Sequence, residues 1–219
     1  ADEKSSELVS SKAANTGVLA AQGRGELVSS KSANTGVLAG AVAGRIRDDG
    51  RCTISAVGPV ACHLALKAIV IAEQYLQETH TGQHLAFTPE KFVVPERGAP
   101  SGRTTETSVL KLHVRPLPGA TDTSAPELFA ASDTNPGLLA GSLAKRIETD
   151  GSTVVSGMGS HAVSKVLKAL LVAETYLERR GKLDGKTIAA TVRNEAFREN
   201  DEERKRLVLR CSLAPSLKP

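Results

Sequence analysis

Two lysines stand out because each sits inside an apolar run: Lys67 in VACHLALKAIVIA and Lys168 in AVSKVLKALLVA. Lysines so placed could point to a ligand. A lysine on a mostly buried helix also has a structural use, laying its methylene stem along apolar surface with the ammonium at the rim of an interface. Gly157-Met158-Gly159-Ser160 precedes a helical pattern and could cradle a phosphate with backbone N–H groups. Its counterpart Ala56-Val57-Gly58-Pro59 lacks one glycine and one donor, so a tight turn is the expected purpose. His80 and His84 have ligand-like spacing, but Thr81-Gly82 lies between them, off any helix, and no cysteine or carboxylate cluster joins them. No metal site and no cofactor are expected. No Ser-His-Asp or Cys-His grouping recurs, and no carboxylate pair stands isolated in an apolar stretch, so the chemistry expected is binding rather than catalysis.

These residues sit in a chain that says the same thing twice. Glu26 to Leu76 realigns without a gap onto Glu127 to Leu177, with roughly 22 of about 51 positions identical. The shared letters fall where geometry is demanding: Asn34/Asn135, Gly36/Gly137, Asp49-Gly50/Asp150-Gly151, Gly58/Gly159, Lys67-Ala68/Lys168-Ala169 and Tyr75-Leu76/Tyr176-Leu177. A repeat of this length is a whole small domain. The expected division is an extension over 1–25, a first module over 26–116, a Pro-containing linker over 117–126 and a second module over 127–215. Within the extension, Glu7 to Ala21 nearly copies Glu26 to Gly40. It holds only the first strand and the start of the first helix, and so cannot close a core. Three readings stand: a segment that docks on a neighbour's sheet edge, a recent local duplication left as a flexible tail, or an error in the sequence itself.

Composition narrows the class. Of the 219 residues 40% are hydrophobic but only 3% aromatic, without Trp, so the cores must be built from Ala, Val, Leu and Ile. The net charge of +4 is shared evenly, thirteen Lys+Arg against eleven Asp+Glu up to residue 120 and fifteen against thirteen after it. Such a balance permits nucleic-acid contact without demanding it. Cys52, Cys62 and Cys211 are odd in number, lack CxxC spacing and fall on apolar stretches, which reads as free buried thiols in a reducing, intracellular compartment. With no run of about 18 apolar residues, no membrane span is expected. The start at Ala1 is read as processing, as after loss of an organelle presequence, or as a fragment, which leaves cytoplasm or organelle interior as the expected location.

Each module reads strand, helix, strand, helix, strand, strand. In the first, Leu27 to Ser30 is a strand and Asn34 caps a helix to about Asp49, with Gly50 as its stop. Cys52 to Val57 is a strand, Gly58-Pro59 opens a helix to about Gln77, and His84 to Val94 and Thr107 to Arg115 are strands around an exposed tip. The second module predicts strands at Leu128 to Ala131, Thr153 to Ser156, Thr187 to Arg193 and Arg206 to Ser212, with helices over Asn135 to Thr149 and Ser160 to Arg179. The charged run NEAFRENDEERK is predicted as its hairpin tip. The second helix of each copy is apolar almost all round; its polar exceptions form one narrow stripe, His63, Lys67 and Gln74, matched by Ser164, Lys168 and Thr175. A helix on a sheet needs one apolar face; one apolar all round is buried on two sides. The sister helix is the expected cover, giving an intramolecular pseudo-dimer with Leu66 and Ile69 at its interface, beside Lys67 and Lys168.

The runs VLAGAVAGRIRDDGRCTISAVGPVACHLALKAIVIAEQYL and LLAGSLAKRIETDGSTVVSGMGSHAVSKVLKALLVAETYL resemble the stage V sporulation protein S family, small bacterial proteins with an Alba-like fold. The resemblance covers each half after residue 25 and implies an α+β fold, two tandem Alba-like βαβαββ modules. It also implies dimerisation and, through the Alba relatives, nucleic-acid binding by a basic residue after the first strand and by the extended hairpin. Lys31 matches the first position; Ser132-Asp133 replaces it in the second module. Arg97 and Arg103 mark the first hairpin tip, and Arg193, Arg198, Arg204, Lys205 and Arg206 the second, where five acidic residues are interleaved. The function expected is weak, non-enzymatic binding to a DNA or RNA backbone; a structural subunit contacting protein partners is the alternative. Aromatic stacking is not expected to contribute, since Tyr75 and Tyr176 are placed on core-facing helices and most of Phe87, Phe92, Phe129 and Phe197 in the core.

Overall fold

Asn34 and Asn135 show how closely local chemistry sets the elements. Each adopts extended backbone and its Oδ1 accepts from the N–H groups two and three residues on, starting a helix. A computed structural model describes residues 26–77, 82–95, 106–118, 127–199 and 202–216. The first copy contains β1 (Glu26–Ser29), α1 (Thr35–Asp49), β2 (Cys52–Ala56), α2 (Gly58–Leu76), β3 (Gln83–Pro95) and β4 (Glu106–Pro118). The second contains β5 (Glu127–Ala130), α3 (Pro136–Asp150), β6 (Ser152–Gly157), α4 (Gly159–Arg179), β7 (Lys186–Glu199) and β8 (Glu202–Pro215). The fold is α+β, and the order of elements is the one expected in both copies. The duplicated segment 7–21, His80, Arg97, Arg103 and most of the expected linker lie outside the described residues.

The strands form one eight-stranded sheet in the order β1-β2-β4-β3-β7-β8-β6-β5. Within each copy the first two strands run parallel and the others antiparallel. The copies meet where β3 pairs with β7 through Ala86↔Thr191 and Phe87↔Ala190. An Arg115 guanidinium N–H donates to the Pro215 carbonyl at 3.1 Å across the same seam. Among the described residues the outer edges are the four-residue strands β1 and β5.

Strand alternation sends Leu27, Ile54, Phe87 and Leu112 of one copy, and Val155, Ile188, Ala190 and Leu209 of the other, toward the helices. All belong to one continuous core that also takes in α1 to α4. Helices α2 and α4 pack against each other, and each reaches the other copy's central strand, α2 to β7 and α4 to β3. Leu66 and Ile69 are fully buried. Thus the apolar circumference of α2 is covered by the sheet, by α1 and by the sister helix. Small residues make the close approach feasible: Ala61, Ala65, Ala68 and Ala72 of α2 are all buried.

Four expectations need correction. The charged run after Arg193 is not a loop: β7 continues to Glu199, β8 begins at Glu202, and Arg198↔Glu203 and Phe197↔Arg204 are paired in register. Alternating charge is compatible with a two-stranded ribbon because cross-strand Arg–Glu neighbours attract. Strand β4 runs to Pro118, two residues into the segment assigned to the linker. Tyr75 is 48% exposed rather than core-facing. Of the phenylalanines only Phe87 is buried, whereas Phe92 and Phe129 are 40% and 67% exposed.

Among the described residues no helix is long and apolar enough to cross a membrane. The three cysteines are free and buried. Burial pushes the thiols of Cys52 and Cys211 up to about 12 and that of Cys62 up to about 11. Because the thiolate is the reactive species, alkylation by iodoacetamide near neutral pH should be negligible for the native chain and go to three equivalents in denaturant; rapid labelling of the native chain would contradict this packing. Replacing Leu66 with Ala should cost about 2–5 kcal/mol in denaturant titrations, and Leu66→Glu should cost more or unfold the chain, because it places a carboxylate in the apolar core.

Candidate nucleic-acid interface and the clefts beside it

Lys31 sits in the turn between β1 and α1, exposed, with no ion pair among the described residues. Ser30 and Ser32 order that turn, their hydroxyls 3.3 Å apart. In the second copy Ser132 occupies the place, and Thr134 Oγ1 accepts from the Ala131 N–H at 2.8 Å. Both turns lie at the end of the sheet from which the hairpins project, since β2 ends at Ala56 opposite Leu110 while β3 and β4 run on to Pro95 and Glu106.

The basic residues of the second hairpin are brought together, but with carboxylates. Arg193 pairs with Glu195 at 2.6 Å and Arg204 with Glu202 at 3.4 Å. Arg206 meets both Glu127 and Glu195 at 3.2 Å, and its guanidinium lies over the rings of Phe129 and Phe197 at 5.5 and 5.6 Å. Lys205 is exposed and makes no ion pair among the described residues. A field spent on internal partners attracts little from outside.

The first copy builds a similar network on the sheet face away from the helices. Glu26 accepts from Ser55 Oγ and meets Lys111 Nζ at 3.2 Å, while Lys111 lies 4.5 Å from the centroid of Phe92. His113 bridges Thr53 at 3.1 Å and Glu90 at 2.8 Å. Glu26 and Glu127 are repeat partners, yet their cations are not. By register, Lys111 corresponds to Val208 and Arg206 to Val109. The cation has moved two residues along its strand, which keeps it on the same face because the side-chain period is two. The identity of Glu26 and Glu127 was the visible signal for this network, and sequence reasoning passed over it.

Burial pushes the Glu26 carboxyl up, but hydrogen bonds from Ser55 and Lys111, with the charges of Lys111 and His113, outweigh it and hold the group below its usual 4.5. A depressed folded value stabilises the chain above the unfolded value and loses that contribution as pH falls through the folded one. Glu26→Gln should therefore cost roughly 1 kcal/mol near neutral pH, and the difference from the parent chain should vanish in acid melts. A cost that stays constant with pH would refute the assignment.

Lys67 and Lys168 flank the junction of the two copies. Lys67, with His63, faces a cleft closed by Met158, Gly159, Asn194 and Lys205. Lys168, with Ser164, faces a second cleft closed by Gly58, Pro59, Lys91 and Ser108. Gly58 and Gly159 have φ of 83° and 81°, a left-handed backbone that favours glycine, so each glycine shapes the turn into its helix as expected. At Gly157 an added Cβ would lie 3.3 Å from the Ala162 carbonyl carbon and the Val163 nitrogen, so packing explains that glycine. His84 is engaged by Glu73 at 2.9 Å, and no group of three potential metal ligands occurs among the described residues.

The family model for stage V sporulation protein S matches the chain twice, over residues 27–112 and 127–198. No curated protein matches it. Each matched segment opens in the first strand of a copy, and the two together take in well over half of the chain.

Proposed function

The chain belongs to the stage V sporulation protein S family, and from that membership we propose that it is a non-enzymatic, Alba-like binding protein in which two fused modules stand in for a dimer. Its ligand is the sugar–phosphate backbone of DNA or RNA, held weakly and by charge. The observation that carries this reading is Lys31, exposed and without an ion pair among the described residues, at the end of the sheet from which the hairpins project. The second module contributes less, because Arg193, Arg204 and Arg206 face glutamates. Arg97 and Arg103 join Lys31 as the expected contacts of the first hairpin.

Neutralising only a few phosphates gives a shallow salt dependence, with log K falling by about 0.9 per phosphate contacted for each unit of log salt. Fluorescence anisotropy with labelled duplexes at about 50 mM salt should show binding, and Lys31→Ala should lower both the affinity and the slope, the latter by about one. No affinity at that salt would reject the reading.

A second reading, a structural subunit of a protein assembly, is favoured by a different observation: Phe129 is 67% and Leu138 is 76% exposed, both on the second module. Exposed large apolar groups of this kind suit protein contact. Native mass measurement of the complex from source cells separates the two, since defined protein partners support the subunit and co-purifying nucleic acid supports the binder.

A further inference from the structure

The two clefts at the module junction are built to one plan from different residues. Lys67 and Lys168 are partners in the repeat, as are His63 and Ser164. Each cleft adds a second lysine, from a strand of the module opposite its helix lysine, but not from the same place. The first takes Lys205 from β8, whereas the second takes Lys91 from β3. Strand alternation puts Lys205 on the helix-facing side with Leu207, and Lys91 on that side with Phe87 and Pro89. Neither cleft has an aspartate or glutamate in its lining.

This departs from how the chain treats its other cations. Arg204 and Arg206, which also line the first cleft, have carboxylate partners, Lys111 has Glu26, and Arg180 and Lys182 share Glu148. Lys67, Lys91, Lys168 and Lys205 make no ion pair among the described residues. Beside Lys67, His63 Nδ1 is buried without a hydrogen-bond partner. Burial and the Lys67 charge push the His63 pKa down, which keeps a neutral ring able to turn an N–H toward an oxyanion. Asn194 adds an amide donor to the same cleft. Bringing two ammonium groups together without a counter-charge is unfavourable, and a dianion seated between them removes that cost. The volumes, about 330 Å³ and about 600 Å³, admit a group of phosphate size.

We propose that the junction holds two phosphoryl-binding clefts, one formed by His63, Lys67, Asn194 and Lys205 and the other by Lys91, Ser108, Ser164 and Lys168. The assignment rests on, and deepens, the nucleic-acid reading above. Phosphates of a strand are one source of the ligand and free phosphorylated compounds are the other.

The test uses the full chain. Pyrophosphate is titrated calorimetrically, and labelled duplex DNA and RNA by anisotropy, into the parent chain, Lys67→Gln, Lys205→Gln, Lys91→Gln, Lys168→Gln and the control Lys186→Gln. Thermal melts check folding. Lys205 and Lys91 are exposed strand residues, so their variants carry the test should Lys67→Gln fail to fold. The expected result is pyrophosphate binding weakened about tenfold or more by substitution in either cleft, unchanged in the control, with pyrophosphate displacing the duplex. Lysine-dependent pyrophosphate binding without duplex binding upholds the clefts for a free phosphorylated ligand and rejects the nucleic-acid reading. Duplex binding indifferent to pyrophosphate and to all four substitutions overturns the clefts and leaves that reading standing. Binding of neither overturns both.

Discussion

Everything in this molecule depends on a helix that cannot be left half covered. Helix α2 carries apolar residues around nearly its whole circumference, and its own module covers them only with the sheet and with α1. An uncovered side would leave large apolar side chains in water, at about 1.5–3 kcal/mol for each. Packing α2 against α4 removes that exposure for both helices at once. The pairing of β3 with β7 then follows from geometry, since helices that meet over a seam bring their strands edge to edge.

That same constraint places the polar stripe. A helix covered by the sheet, by α1 and by the sister helix has only a narrow strip left for polar residues, and His63 and Lys67 occupy it. The strip opens toward the base of the other module's hairpin, which makes the junction a meeting place of residues from both copies. The sheet face away from the helices follows a different rule. There Glu26 and Glu127 anchor charge networks whose cations come from different strand positions, so the network is retained while the residues supplying it are exchanged.

Much of the fold was legible in the residues. Asn34 and Asn135 as caps, Gly50 and Gly151 as stops, the Gly-Pro break and the all-round apolar helix each have a local cause that spacing alone reveals. What escaped was set by tertiary neighbours. The run from Asn194 to Lys205 has the composition of a loop, and only cross-strand pairing of its opposite charges makes it a ribbon. Phe92 and Phe129 look like core by residue type, yet they lie exposed beneath Lys111 and Arg206, where cation–ring contact suits them. The site was less legible than the fold. Lys31 and Lys67 could be singled out, but the clefts that Lys205 shares with Lys67, and Lys91 with Lys168, join residues far apart in sequence that belong to different modules.

The edges of the sheet have a consequence for how the chain behaves in a crowded solution. Fusing the copies places β3 and β7, which would be longer exposed edges in separate modules, in the middle of one continuous sheet. Among the described residues, what remains at the rims are β1 and β5, four residues each. An edge that short offers few backbone N–H and C=O groups to a foreign strand, and short edges are among the devices that keep sheets from growing by accretion. Duplication has therefore turned an open-ended architecture into a finite one, with its width limited at both rims.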